Sequence, residues 1–268
     1  MDKGISTTLS TVILMSVILT ITISIAIFAS GVIETQNQIT EFEEAKTNMI
    51  ALAETIEDVA AKMGASGYVR INARAGGPYF EKTNENLSIK INGDEKVRYT
   101  INLIKFRGGS MVSVGGYNIL RGKLSGEPID AHRVTLLAPG NESIPIGWVY
   151  VNQSNGAWIV VDFGRVRVIK IGKFIFSKNN GTGSEILGIV EIQYINIIFG
   201  QLGGTGVFNI RARNINITRH TYRIDGVSSI SIEASRNGHS SSYPCSFESV
   251  DGIIVYIVVV NVKISTYG

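Results

Sequence analysis

Residues 5 to 33 read ISTTLSTVILMSVILTITISIAIFASGVI, an unbroken stretch without one charged side chain. This exceeds the roughly 20 residues that carry a helix across the hydrocarbon core of a bilayer. Its β-branched residues lower helix propensity in water, but in lipid the backbone must satisfy its own hydrogen bonds, and a helix does so. The stretch therefore predicts a helix that needs an apolar medium on every side. Lys3 precedes it and Glu34, Glu41, Glu43 and Glu44 follow it, so the positive-inside tendency puts the start in the cytoplasm and the bulk of the chain outside. A cleaved secretory signal competes, with Ala29-Ser30-Gly31 as small residues, yet its apolar core is usually only about 7 to 15 residues. An uncleaved signal anchor competes more strongly.

The helical pattern continues past the apolar run. In residues 34 to 64, Ile39, Phe42, Met49, Ala53, Ile56, Ala60 and Met63 fall at three- and four-residue steps, one apolar stripe along a helix. Lys46 interrupts the stripe beside the small Ala45, and the acidic residues lie mostly on other faces. Gly64 is the expected stop. One helix from about Ile5 to Met63 is about 88 Å long at 1.5 Å per residue, and only its first half suits lipid. Composition divides at the same place. Residues 1 to 65 hold 3 basic and 8 acidic side chains, and residues 66 to 268 hold 22 and 14, so the parts stand at −5 and +8.

Lys3-Gly4 followed by Ile5-Ser6-Thr7-Thr8, the long uncharged helix and its amphipathic continuation resemble the prepilins of the archaeal type IV pilus class, which carry a class III signal peptide. The resemblance covers about the first 60 residues. It implies that a membrane aspartic peptidase, the prepilin peptidase, cuts after Gly4, with Lys3 the recognised basic residue and Ile5 the new amino terminus. Residues 1-4 are then a leader, residues 5-65 the filament-core helix and residues 66-268 an extracellular β-rich domain. Leu9, Val12, Ile13, Ile39, Phe42, Met49, Ile56 and Met63 are the expected helix-packing residues. The implied partners are the membrane before assembly, the assembly machinery, and identical subunits joined head to tail in an open helical polymer. Where bacterial relatives often carry glutamate as the fifth mature residue, this chain has Leu9.

From Tyr68 the spacing changes to alternation and short apolar bursts between turns, so the fold class expected is α+β: a long helix, then a β-sandwich or two small β modules. Residues 87 to 92 and 96 to 106 read as a hairpin around Asn92-Gly93. Strands are expected in 144 to 153, 157 to 171, 185 to 199, 207 to 218 and 227 to 235, with 253 to 264 a central strand. Arg165, Arg167, Arg211 and Arg213 alternate with apolar residues, which predicts either a solvated basic sheet face or one that meets the acidic helix of the same or a neighbouring subunit.

Little points to catalysis. Cys245 is alone, so neither a disulfide within the chain nor a Cys-based zinc site is available, and His132, His220 and His239 are widely spaced. GQLGGTG at 200 to 206 lacks the spacing of a dinucleotide fingerprint and reads as a turn. A formal charge of +3 does not indicate nucleic acid. The expectation is no enzyme and no cofactor, with a surface hydrolase on a stalk the remote rival. Sequons at Asn86, Asn141, Asn152, Asn180 and Asn216, all beyond the helix, are candidate glycan acceptors on an outside domain. The leading reading is an adhesive filament subunit, and the alternative is an uncleaved membrane-anchored binding domain.

Overall fold

The computed structural model describes residues 3–122, 136–140, 144–177, 183–204 and 206–267, with side chains from residue 9 onward. Helix α1 runs unbroken over Lys3–Ala60. It stops because the next groups are capped from outside. Gly64 takes the left-handed conformation at φ 79° and donates its N–H to the carbonyl of Asn214. The buried Asn214 side chain donates to the carbonyls of Val59 and Ala60 at 3.3 and 3.2 Å, two acceptors the helix cannot satisfy internally. The helix thus ends at Ala60, short of Met63, which lies beyond it and is exposed.

Among the described residues, thirteen strands follow in two sheets. The first contains β1 (Ser66–Ala73), β5 (Leu137–Pro139), β8 (Val166–Ser177), β9 (Ser184–Phe199), β10 (Gly206–Asp225) and β13 (Gly252–Tyr267), in the order β1-β10-β13-β9-β8-β5. Its β13–β9 and β5–β8 pairs are parallel and the others antiparallel. The second is antiparallel and contains β2 (Gly77–Ile91), β3 (Asp94–Arg107), β4 (Asn118–Arg121), β6 (Trp148–Gln153), β7 (Ala157–Asp162), β11 (Ser229–Arg236) and β12 (His239–Ser246), in the order β12-β11-β2-β3-β7-β6-β4. The fold is α+β, a long apolar helix leading into a β-rich, sandwich-like domain. Asn92-Gly93 turns β2 into β3 with both residues at positive φ, as its sequence requires.

Two apolar cores lie within this one body. In the first, the second half of α1 packs with inner residues of both sheets, among them Ile104, Phe106, Val161, Ile197, Ile210 and Val262. In the second, the sheets meet directly through residues such as Ile89, Leu103, Val160, Ile192, Ile232 and Val255. Neighbouring residues of one strand serve different cores: Leu103 and Ile104, Val160 and Val161, Tyr194 and Ile195, Val259 and Val260. Successive side chains point to opposite faces, so strands shared in this way are apolar on both. This accounts for the near-continuous apolar run of β13, which lies between β10 and β9 as a central strand. The shared strands also bind the two cores together.

The structure corrects the reading of residues 157 to 171 as one strand. The chain leaves the second sheet at Asp162 and enters the first at Val166. Arg165, expected on a solvated face, is 1% exposed at this crossing. Its guanidinium donates to the carbonyls of Gly122 and Pro145 at 3.0 and 3.2 Å, replacing water with protein acceptors. Arg167 is half-buried, and its guanidinium donates to the Ile144 carbonyl. Arg211 and Arg213 do point outward from β10.

Ile39 and Met63 also depart from the expected stripe, being 40% and 65% exposed. The buried positions are Gln38, Phe42, Ala45, Met49, Leu52, Ile56 and Val59, alternating steps of four and three, with Ala53 and Ala60 beside them. Ile39 is about 100° round the helix from Gln38 and faces away. We expect Leu52→Ala to destabilise the full chain in detergent micelles by about 2–5 kcal/mol, since Leu52 is fully enclosed. Ile39→Ala is expected to change stability by less than about 0.5 kcal/mol. Denaturant unfolding followed by tyrosine and tryptophan fluorescence checks both.

Candidate functional site: a bare helix on a buried anchor

The feature that sets this molecule apart is the division of α1. From Leu9 to Ile33 its apolar side chains are exposed all round, including the expected packing residues Leu9, Val12 and Ile13 at 62%, 58% and 56%. Four hydroxyls in this half are satisfied by the helix itself. Ser16, Thr20, Thr22 and Ser24 donate to the carbonyls four residues earlier, at 2.8 to 2.9 Å. A surface with these hydroxyls already satisfied and its apolar groups bare suits lipid or other apolar helices. This half of the helix is long and apolar enough to cross a membrane.

The second half is held to the β domain by polar ties along its length. At the base, Gln38 is buried, its Oε1 accepting the Met111 N–H at 3.0 Å and its Nε2 donating to Glu34 at 2.9 Å. The loop after β3 comes this close because it carries glycine: a Cβ on Gly109 would lie 2.3 Å from Gln38 Oε1. One turn on, the Glu41 carboxylate accepts the backbone N–H groups of Arg74, Ala75 and Gly76, each at 3.0 Å at its nearest. Three amides aimed at one carboxylate form a charge-assisted clamp between the helix and the end of β1.

Higher up, Glu57 accepts from Arg121 at 2.9 Å and from the Gly147 N–H at 2.7 Å, while Arg121 also donates to the Gly147 carbonyl at 2.6 Å. Within the chain, among the described residues, the arginine that pairs with the acidic helix is Arg121 on β4, with Glu57 and Glu54, rather than Arg165, Arg167, Arg211 or Arg213. Phe42, Met49 and Ile56 pack in the core as their spacing indicates. Glu41, Leu52, Val59 and Arg121 were not singled out by sequence. Leu52 and Val59 were legible as the missing steps of the four-three alternation, whereas the partners of Glu41 and Arg121 depend on the tertiary fold.

The leader positions fall at the start of the helix, where the backbone of Lys3, Gly4 and Ile5 is helical. Among the sequons, Asn86 and Asn216 are exposed on β2 and β10, and Asn152 is half-buried on β6 with its Oδ1 enclosed; Asn141 and Asn180 lie outside the described residues, as does His132. Residues 200 to 204 form the connection from β9 to β10, as a turn reading requires. Among the described residues no three His, Cys, Asp or Glu side chains gather as a metal site. Cys245 is buried, and burial pushes its thiol up to about 11 despite nearby Lys170.

No protein-family model, curated protein or solved structure matches this chain.

Two outcomes follow from this geometry. Glu41→Ala strips three amides of their acceptor, so hydrogen exchange at Arg74, Ala75 and Gly76 should accelerate, with a stability loss of about 1–3 kcal/mol. A raised thiol pKa means little thiolate near neutrality. At pH 8 Cys245 should react with a disulfide reagent far more slowly in the folded chain than in denaturant.

Proposed function

We propose that this chain is a structural subunit of an archaeal type IV pilus-like surface filament. It is stored in the membrane through the first half of α1, cleaved after Gly4 by a prepilin peptidase, and polymerised through the same half helix. The β domain is displayed outward for adhesion, and its sequons are candidate glycan sites. The observation that carries this reading is an apolar helix bare on every side from Leu9 to Ile33, joined without a break to a helix locked into a folded domain. Exchanging lipid for identical helices keeps those side chains out of water, and the rigid continuation carries each β domain along with its helix. Head-to-tail contacts of this kind give open filaments rather than closed rings. The reading asks no chemistry of the β domain.

The same bare helix also serves the alternative, an uncleaved anchor for an extracellular binding domain, and a triple substitution separates the two. Replacing Leu9, Val12 and Ile13 by Ala leaves the span apolar and touches nothing in the β domain. Membrane retention and the thermal unfolding of the β domain should be unchanged, because the remaining run still suits lipid. Packing between helices in a filament core loses three large side chains, so the yield of filaments sheared from cells should fall several-fold. Cells whose filament yield is indifferent to the substitution, or that make no filaments of this chain at all, would favour the anchored domain.

A further inference from the structure

We infer that the base of the β domain is a seat for lipid headgroups, with Arg74 and Arg107 holding headgroup phosphate. This rests on the reading that the uncharged run of α1 crosses a bilayer. That run ends at Ile33, and the domain begins almost at once. The Thr35 Oγ1 lies 3.2 Å from Met111 Sδ, so the loop after β3 is level with a residue only about 3 Å of helix rise beyond the apolar run. A helix that places Ile33 at the edge of the hydrocarbon therefore places this loop among the headgroups. Met111 itself is 49% exposed.

From this level a groove of about 1260 Å³ runs up between the helix, from Glu34 to Glu44, and the loops that follow β1 and β3, with Arg74 near the height of Glu41, about 12 Å of helix rise beyond Ile33. Both arginines line it. Of the acids that line it, Glu41 is engaged by three backbone amides and Glu34 by Gln38. Glu44 lies exposed at the far end of the lining stretch. Arg74 makes no ion pair among the described residues, and Arg107 reaches only the Asn155 carbonyl, at 3.4 Å, and the face of Trp158, 5.6 Å away. Exposed Tyr79 sits edge-on to Trp158 at 5.7 Å. Basic and aromatic side chains just beyond the end of a span, with arginines long enough to reach back toward the headgroups, are the chemistry of a membrane interface.

The test uses the full chain in nanodiscs of phosphatidylcholine and phosphatidylglycerol with a small fraction of nickel-chelating lipid. A spin label is placed at Met111→Cys, or for comparison at Ser228→Cys just past the far end of β10, both with Cys245→Ala. Relaxation by the surface nickel should be several-fold faster at 111 than at 228. It should fall measurably, while staying above the value at 228, when Arg74→Glu and Arg107→Glu are introduced, because the helix still crosses the bilayer and only the tilt that seats the base is lost, with circular dichroism unchanged. Equal relaxation at the two positions overturns the proposal, as does a label at 111 indifferent to the arginines. A chain that does not co-elute with the disc contradicts the bilayer-crossing reading itself and removes this proposal with it.

Discussion

One stripe of α1, from Gln38 to Ala60, lies against the inner faces of both sheets, and the rest of the architecture depends on its burial. Without it, Ile71, Ile159, Val161, Ile210, Ala212 and Val262 would open to water, because the helix lies on β1, β10 and β13 of one sheet and β7 of the other. The helix is thus a component of the domain core rather than a stalk attached to it. Its polar ties add register. Glu41 fixes the end of β1, Glu57 fixes Arg121 and Gly147, and Asn214 closes the carboxyl end. A helix fixed at three heights can neither slide nor rotate in its socket, so the direction of its bare half is set by the fold.

That rigidity gives the functional reading its mechanical content. A flexible tether would let the domain wander over a membrane or a filament surface. Here the helix is continuous from Lys3 to Ala60, and the passage from bare to buried is made within a few residues around Gln38. In a filament built on such helices, each β domain takes its position from its own helix. In a bilayer, the same geometry holds the domain base at the membrane surface. Exposed Glu44 and Asp58 on the helix and exposed Arg213 on the outward β10 face would offer opposite charges to a neighbouring copy. Such contacts are individually weak and screened by salt.

The plan of the molecule was legible because its strongest signals are local. An uncharged run, a helical stripe with a glycine after it, and the Asn-Gly turn depend on nothing distant, and each lies where its residues indicate. The central place of β13 was legible from its apolar run, although the reason, a strand shared by two cores, was not. What the sequence hid was tertiary. Arg165 has the alternating pattern of a surface strand but lies where the chain crosses between sheets, and only the fold supplies its carbonyl partners. β12 is polar and contains Pro244, which suits an edge strand and leaves no apolar signature. In the candidate site, the bare helix could be read directly, whereas the clamp at Glu41 joins residues more than thirty positions apart.

The central claim is that the bare half helix is the means of assembly, and the native amino terminus tests it most directly. Material sheared from cells is imaged by electron microscopy and the chain it contains is measured intact by mass spectrometry. The account predicts filaments whose subunit begins at Ile5. A chain that keeps residues 1 to 4 and stays in the membrane without polymerising would contradict it.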